Sequence, residues 1–234
     1  MDVRLSHRFE DGADMASLLW RFGPGWRMIS SAMVGGGIGP REWVLNAQVA
    51  AGYSRMDPVD HLEELAAGLG AAGPGVGMLT AASVAYYTAA EDGGARAVAT
   101  VGLRVPTWAA APEGRPDPEL APMRQSAVPE GRAEPVGRIV PGTVNIVAAV
   151  PVALSDAALV NAVMTVTEAK TQALLEAGFP CTGTASDAVC VAARAEGAEE
   201  LFGGPRSTWG ARLARAVHAA VHEGAQGWAG RDRR

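Results

Sequence analysis

Residues 142–188 constrain the fold more than any other stretch. They read GTVNIVAAV, then LSDAALVNAVMTVTEAKTQALLEAG, then TGTASDAV. The first piece is an apolar, β-rich run, and the second keeps helical spacing for about six turns. The third is a threonine- and glycine-rich turn that feeds a short apolar run. Strand, helix, polar turn and strand therefore follow one another, with most of the unusual polar residues at the joins.

Ser155 is placed to cap the helix, Asp156 adds negative charge to its first turn, and Gly178 supplies its stop. Leu159, Val163, Val166 and Leu174 fall on one stripe at helical spacing. Lys170 sits on the same stripe, where an apolar residue belongs, and it is the chain's only lysine. Arginine serves wherever plain positive charge suffices, so a retained lysine points to a task for a compact ammonium. The alternative is a lysine that only snorkels from the edge of the core. Glu168, roughly 200° around the helix from Lys170, faces the other side, with Asn161 and Thr165. The two serve one site only if the helix geometry changes there or if one supports it from behind.

Four segments, GTVNIV, SDAALV, TEAKTQAL and TGTASDAV, resemble in order and spacing the adenosylcobinamide amidohydrolase family of corrinoid salvage. The family pattern is close to G-T-I-N-I, T-E-A-K-T and T-G-T-x-T-D-A; Ser186 replaces a threonine here and keeps the hydroxyl. Upstream, SSAMVGGG, the run through Asn46, Val49 and Tyr53, and GMLTAA at Thr80 are also similar. The likeness runs from about Ile29 to Val221.

Length and composition agree with a folded, globular protein. A chain of 234 residues with 48% hydrophobic residues and a mean hydropathy of +0.08 suffices for one sizeable core. The expectation is an α/β fold (α+β type) of one domain, residues 1–234, with a mixed β-sheet flanked by helices. A net charge of −5 argues against a nucleic-acid partner and gives no reason to expect anionic lipid. No apolar run is long enough for a membrane span, and the charged N-terminus is unlike a signal peptide. Two cysteines, Cys181 and Cys190, are too few for a disulfide scaffold, and reduced thiols in a cytoplasmic protein are expected.

In chain order, residues 1–25 are expected to form a short mixed opening with a strand around Val3–Phe9. Trp26–Val34 reads as a buried strand and Gly35–Pro40 as the turn after it. That turn lacks the third glycine of a dinucleotide fingerprint and the Gly-Lys-Ser/Thr of a phosphate loop. Close backbone approach to a bulky ligand, at Gly36 and Gly37, fits it better. Asp60–Leu69 reads as an amphipathic helix with His61 exposed in its first turn. Gly75–Val84, Arg96–Val105 and Val189–Ala193 read as strands, and Thr208–His222 as the last helix. Pro106–Pro141 is proline-rich without a hydrophobic period, and a long loop is expected. His218 and His222 share a spacing that suits zinc but lack a neighbouring Glu and a third ligand, so no metal site is expected.

The resemblance implies hydrolysis of the amide joining the aminopropanol arm to the corrin ring of adenosylcobinamide. The partner is then a small-molecule corrinoid that brings its own cobalt, with no resident cofactor. Amide hydrolysis needs a base, an oxyanion stabiliser and a proton for the leaving amine. Asp187 or Glu168 fits the base, and Lys170 or Asn145 the oxyanion stabiliser. Asn46, Thr80, Thr143, Thr182, Thr184, Gly36 and Gly37 are the substrate-binding candidates. Two other readings stay open: a corrinoid binder without catalysis, and an unrelated amide hydrolase with a Ser or Thr nucleophile.

Overall fold

The computed structural model describes residues 2–50, 52–114 and 142–232. Two β-sheets stack face to face. The first holds β1 (Asp2–Glu10), β2 (Ala13–Arg21), β5 (Trp43–Gln48) and β6 (Gly75–Thr80), in the order β1-β2-β5-β6. The second runs β4 (Gly37–Pro40), β3 (Trp26–Ser30), β10 (Ala188–Arg194), β9 (Val144–Leu154), β8 (Ala95–Val101), β7 (Thr88–Asp92), with β11 (Glu199–Glu200) pairing β9. Helix α1 (Pro58–Gly68) packs on the first sheet, and α2 (Asp156–Glu176) and α3 (Thr208–Asp232) cover the second. The mixed sheet and flanking helices are as expected, with the sheet doubled into a four-layer sandwich.

Period-two alternation builds these layers. Leu18, Trp20, Val44 and Met78 of the first sheet meet Met28, Val98, Val147 and Cys190 of the second in one core. The opposite face of the second sheet, with Ala97, Ile146, Ala148 and Val191, packs on Leu159, Val166, Leu174, Leu213 and Val217 of the helices. Alanines on both sides let helix and sheet approach closely. Leu19, Leu45, Leu62 and Ala66 form the third core, beneath α1.

Two parallel βαβ units set the polarity. β5 and β6 pair in parallel around α1, and β9 and β10 around α2, so each pair's connection must cross over. Helix α2 begins and ends as its sequence dictates. Ala158 N donates to Ser155 Oγ at 3.2 Å, and Phe179 N donates to Leu174 O at 2.9 Å across Gly178 at φ +89°. The latter is a Schellman closure, with Phe179 and Leu174 in one core.

Some expectations need correction. The opening is a full hairpin of two nine-residue strands, turned by Asp11 and Gly12 at φ +51° and +79°. Gly37–Pro40 is strand β4 rather than turn, because Gly35 and Gly37, at φ +66° and +77°, complete the reversal within three residues. His61 is buried, 3% exposed, because Tyr53 and Glu10 supply partners for both ring nitrogens. Strand β7 is additional. Of Pro106–Pro141, residues 115–141 lie outside the described residues, and 106–114 hold a single bridge, Thr107 to Gly183. No helix among the described residues is long and apolar enough to cross a membrane.

Leu159→Ala, at 0% exposure, is expected to cost about 2–5 kcal/mol by urea denaturation, whereas Val160→Ala beside it, at 49%, should stay within about 0.5 kcal/mol. Cys181 and Cys190 are buried and free, and burial raises both thiols, that of Cys190 to about 12. A thiol titration at pH 8 should therefore find neither reactive in the native protein and both reactive in denaturant.

Candidate active site

Lys170 and Asp187 meet on the helix side of the second sheet, where β9 and β10 begin. Lys170 Nζ donates to Asp187 Oδ2 at 2.5 Å, and the side chains are 9% and 10% exposed. The carboxylate has three further donors. Oδ1 accepts from Val144 N at 2.8 Å and Thr184 Oγ1 at 2.5 Å, and Oδ2 from Thr184 N at 3.1 Å. Four bonds occupy the lone-pair directions a carboxylate offers, so Asp187 closes its own turn, pins the start of β9 and holds the ammonium. Lys170 keeps two N–H bonds without a partner among the described residues. A nearly buried cation with donors to spare is suited to a carbonyl oxygen or an oxyanion.

Gly183 makes this approach possible. At φ +153°, an added Cβ would overlap Asp187 Oδ2 and crowd Lys170 Nζ. Its carbonyl accepts from Thr107 N at 2.8 Å. Thr182 joins the same join: its N and Oγ1 donate to Thr107 O at 3.0 and 3.1 Å, and Oγ1 accepts from Ala109 N at 2.8 Å. Thr143 and Ser186 share a hydroxyl hydrogen bond of 2.9 Å, with Thr143 buried and Ser186 exposed.

Asn145 is one residue from Val144 and points to the other face, into the layer between the sheets. Its Nδ2 donates to Asn46 Oδ1 at 2.9 Å and to Leu79 O at 3.2 Å, and its Oδ1 accepts from Ala188 N at 3.2 Å. Asn46 Nδ2 donates in turn to Thr100 Oγ1 at 2.9 Å. The chain Asn145–Asn46–Thr100 thus ties the two sheets together. Asn145 and Lys170 are brought to one end of the sandwich, on opposite faces of the same strand ends.

Other candidates take separate places. Glu168 is exposed on the far side of α2, where a groove of about 360 Å³ also carries Gln172, Arg206, Arg215 and His218. It does not share the Lys170 site. Thr80 is buried at the end of β6, and its Oγ1 accepts from Ala82 N at 3.0 Å. The glycine turn packs against the protein's own backbone: a Cβ on Gly35 would overlap Gly75 O, and one on Gly36 would lie 2.5 Å from Ala32 O. Gly37 has open space around it. The preceding Ser30 and Ser31 bond Val189, beside Asp187 in sequence: Ser30 Oγ donates to Val189 O at 3.0 Å, and Val189 N to Ser31 Oγ at 3.1 Å. His218 bonds Glu176 at 2.7 Å and stacks on His222.

Two polar connections escaped the sequence reading. Thr100 is the lone hydroxyl in a run of small apolar residues, and its parity with Val98 could have placed it facing Asn46. Tyr53, His61 and Glu10 form a second relay, at the end of the first sheet. His61 Nδ1 meets Tyr53 Oη at 3.0 Å and Nε2 meets Glu10 Oε1 at 3.0 Å, with the Tyr53 and His61 rings stacked. Burial raises the Tyr53 hydroxyl's pKa. No local pattern links residue 10 to residue 61.

The fold and site define an α/β sandwich protein with a buried lysine–carboxylate pair at the mouth of a βαβ unit. A model of the adenosylcobinamide amidohydrolase family matches residues 2–233, and the chain belongs to that family. It is 43% identical to the adenosylcobinamide amidohydrolase of Halobacterium salinarum over 118 residues, 50% of this chain and 48% of the relative. It is 32% identical to the enzyme of the same name from Methanosarcina mazei over 162 residues, 69% of this chain and 67% of the relative. The first alignment thus spans about half of that relative's length.

Gly183→Ala is expected to break the Lys170–Asp187 contact. The measurement is thermal melting with a crystal structure of the variant; a retained 2.5 Å pair at unchanged stability would show that the glycine is dispensable.

Proposed function

We propose that the protein hydrolyses the amide between the corrin ring and the aminopropanol arm of adenosylcobinamide, releasing adenosylcobyric acid and 1-amino-2-propanol for corrinoid salvage. Family membership and the activity for which two relatives are named support this reading. The observation that carries it is the Lys170 ammonium, nearly buried, fixed by Asp187 and left with two donors that have no partner among the described residues.

Attack on an amide carbonyl moves negative charge onto its oxygen. A donor already oriented, in a place with little water, stabilises that charge without first reorganising. Lys170 takes this part. Asp187 orients it, because its lone pairs are committed to Lys170, Thr184 and Val144. The hydroxyls of Thr143, Thr182, Thr184 and Ser186 crowd the same strand ends and suit an amide-fringed substrate. Asn145 acts from behind: its bonds to Asn46 and Ala188 fix the ends of β9 and β10 between which Asp187 closes. The cobalt arrives with the substrate, and the reaction so read calls on no resident metal.

The test is incubation of the purified protein with adenosylcobinamide, followed by chromatography. Adenosylcobyric acid and free 1-amino-2-propanol are expected. Lys170→Met should lower kcat on the order of 10²–10³-fold, the usual loss for an oxyanion donor. Breaking a buried ion pair costs about 3–5 kcal/mol, so only variants with native circular dichroism count, and Lys170→Arg provides a charged comparison. Ample folded wild type that gives no product would sink the proposal, and corrinoid binding without turnover would identify a carrier instead.

A further inference from the structure

Trp108 stands at the edge of this site, between two residues bonded to Thr182 and Gly183. It is 45% exposed, whereas Trp20, Trp26 and Trp43 are 7% exposed or less. An indole left in water forgoes the burial that makes large aromatics valuable in a core. The backbone that carries it is nevertheless held on both sides. Thr107 N donates to Gly183 O, Thr182 N and Oγ1 both donate to Thr107 O, and Ala109 N donates to Thr182 Oγ1. These four bonds bracket a single residue.

The bracket is anchored to the site itself. Thr182 and Gly183 open the turn that Asp187 closes, and a Cβ on Gly183 would overlap the Asp187 carboxylate and crowd Lys170 Nζ. The exposed residue therefore sits in a segment bonded to Thr182 and Gly183, and Gly183 lies against both members of the ion pair. Tyr86, another exposed aromatic, has Arg231 over its ring at 4.2 Å. Among the described residues the Trp108 ring has no such stacking partner.

We infer that Trp108 is a stacking platform for a planar conjugated face of the corrinoid, and so a positioning residue for the reaction proposed above, on which this inference rests. Such a substrate offers two faces of this chemistry: the adenine of its upper ligand and the conjugated part of the corrin ring. A base stacked on an aromatic side chain loses on the order of tenfold or more in affinity when that side chain is cut to alanine.

The experiment compares wild type, Trp108→Ala, Trp108→Phe and, as an exposed-aromatic control, Phe202→Ala. Steady-state constants are measured with adenosylcobinamide, and dissociation constants with adenosylcobinamide and with cobinamide lacking the adenosyl group. Trp108→Ala should raise KM and Kd about tenfold with kcat within about twofold, Trp108→Phe should restore most of the loss, and Phe202→Ala should match wild type. A loss confined to the adenosylated ligand assigns the platform to adenine, and an equal loss on both assigns it to the ring. Unchanged KM and Kd in Trp108→Ala, with an active wild type, would overturn the platform and leave the proposed activity standing. A loss that phenylalanine does not restore, or one confined to kcat, would also overturn it. Wild type that neither binds nor converts a corrinoid would remove both.

Discussion

One carboxylate determines how this end of the sandwich closes. Asp187 takes hydrogen bonds from the start of β9, from the turn before β10 and from the middle of α2, so strand, turn and helix share a single acceptor. Charged groups this buried are tolerated only when paired and fully bonded. Here the pairing is met by parts of the chain 17 and 43 residues away from Asp187. The ion pair is therefore a constraint on geometry as much as an attraction. It forces β9 and β10 to begin side by side, and it places an ammonium where those two strands emerge.

The asparagine chain on the other face makes the same strand ends rigid from behind. Asn145 accepts from Ala188 N and donates to Asn46 and Leu79 O, so a displacement of β10 is felt in both sheets. Buried amides left half-bonded would be costly, and this set is bonded from end to end. The two polar clusters consequently do different work. One presents a cation at the mouth of the βαβ unit, and the other prevents that mouth from shifting.

How much of this was legible in the sequence follows from which interactions are local. Helix α2, its serine cap, its glycine stop and the inward-facing Lys170 all follow from spacing within one segment. The strands β8, β9 and β10 followed from apolar runs. What was missed depends on partners remote in sequence, or on turn chemistry passed over. Asp11-Gly12 and Gly93-Gly94 are the residue pairs that a tight hairpin with positive φ requires, and they mark β1–β2 and β7–β8. His61 reads as exposed because it lies in the first turn of its helix; Glu10, 51 positions earlier, is what makes its burial tolerable. The doubling of the sheet was hidden for a related reason. Alternation reveals that a strand has two faces, but both faces of β8, β9 and β10 are apolar, and only packing tells which neighbour covers each.

The lone lysine can now be explained in spatial terms. Arginine meets the other demands for side-chain positive charge apart from histidine, and several of its ion pairs are surface pairs with ample room, such as Arg215 with Asp92. Position 170 is different. Its charged end lies against Gly183, where one additional carbon would collide with the ion pair. A guanidinium is wider, planar and needs a matching fork of acceptors, whereas three of the four bonds to Asp187 already come from Thr184 and Val144. An ammonium fits the remaining acceptor direction as a compact charge and still has donors to direct outward. The glycine, the saturated carboxylate and the single lysine therefore form one sterically coupled unit, in which the identity of each residue follows from the space left by the other two.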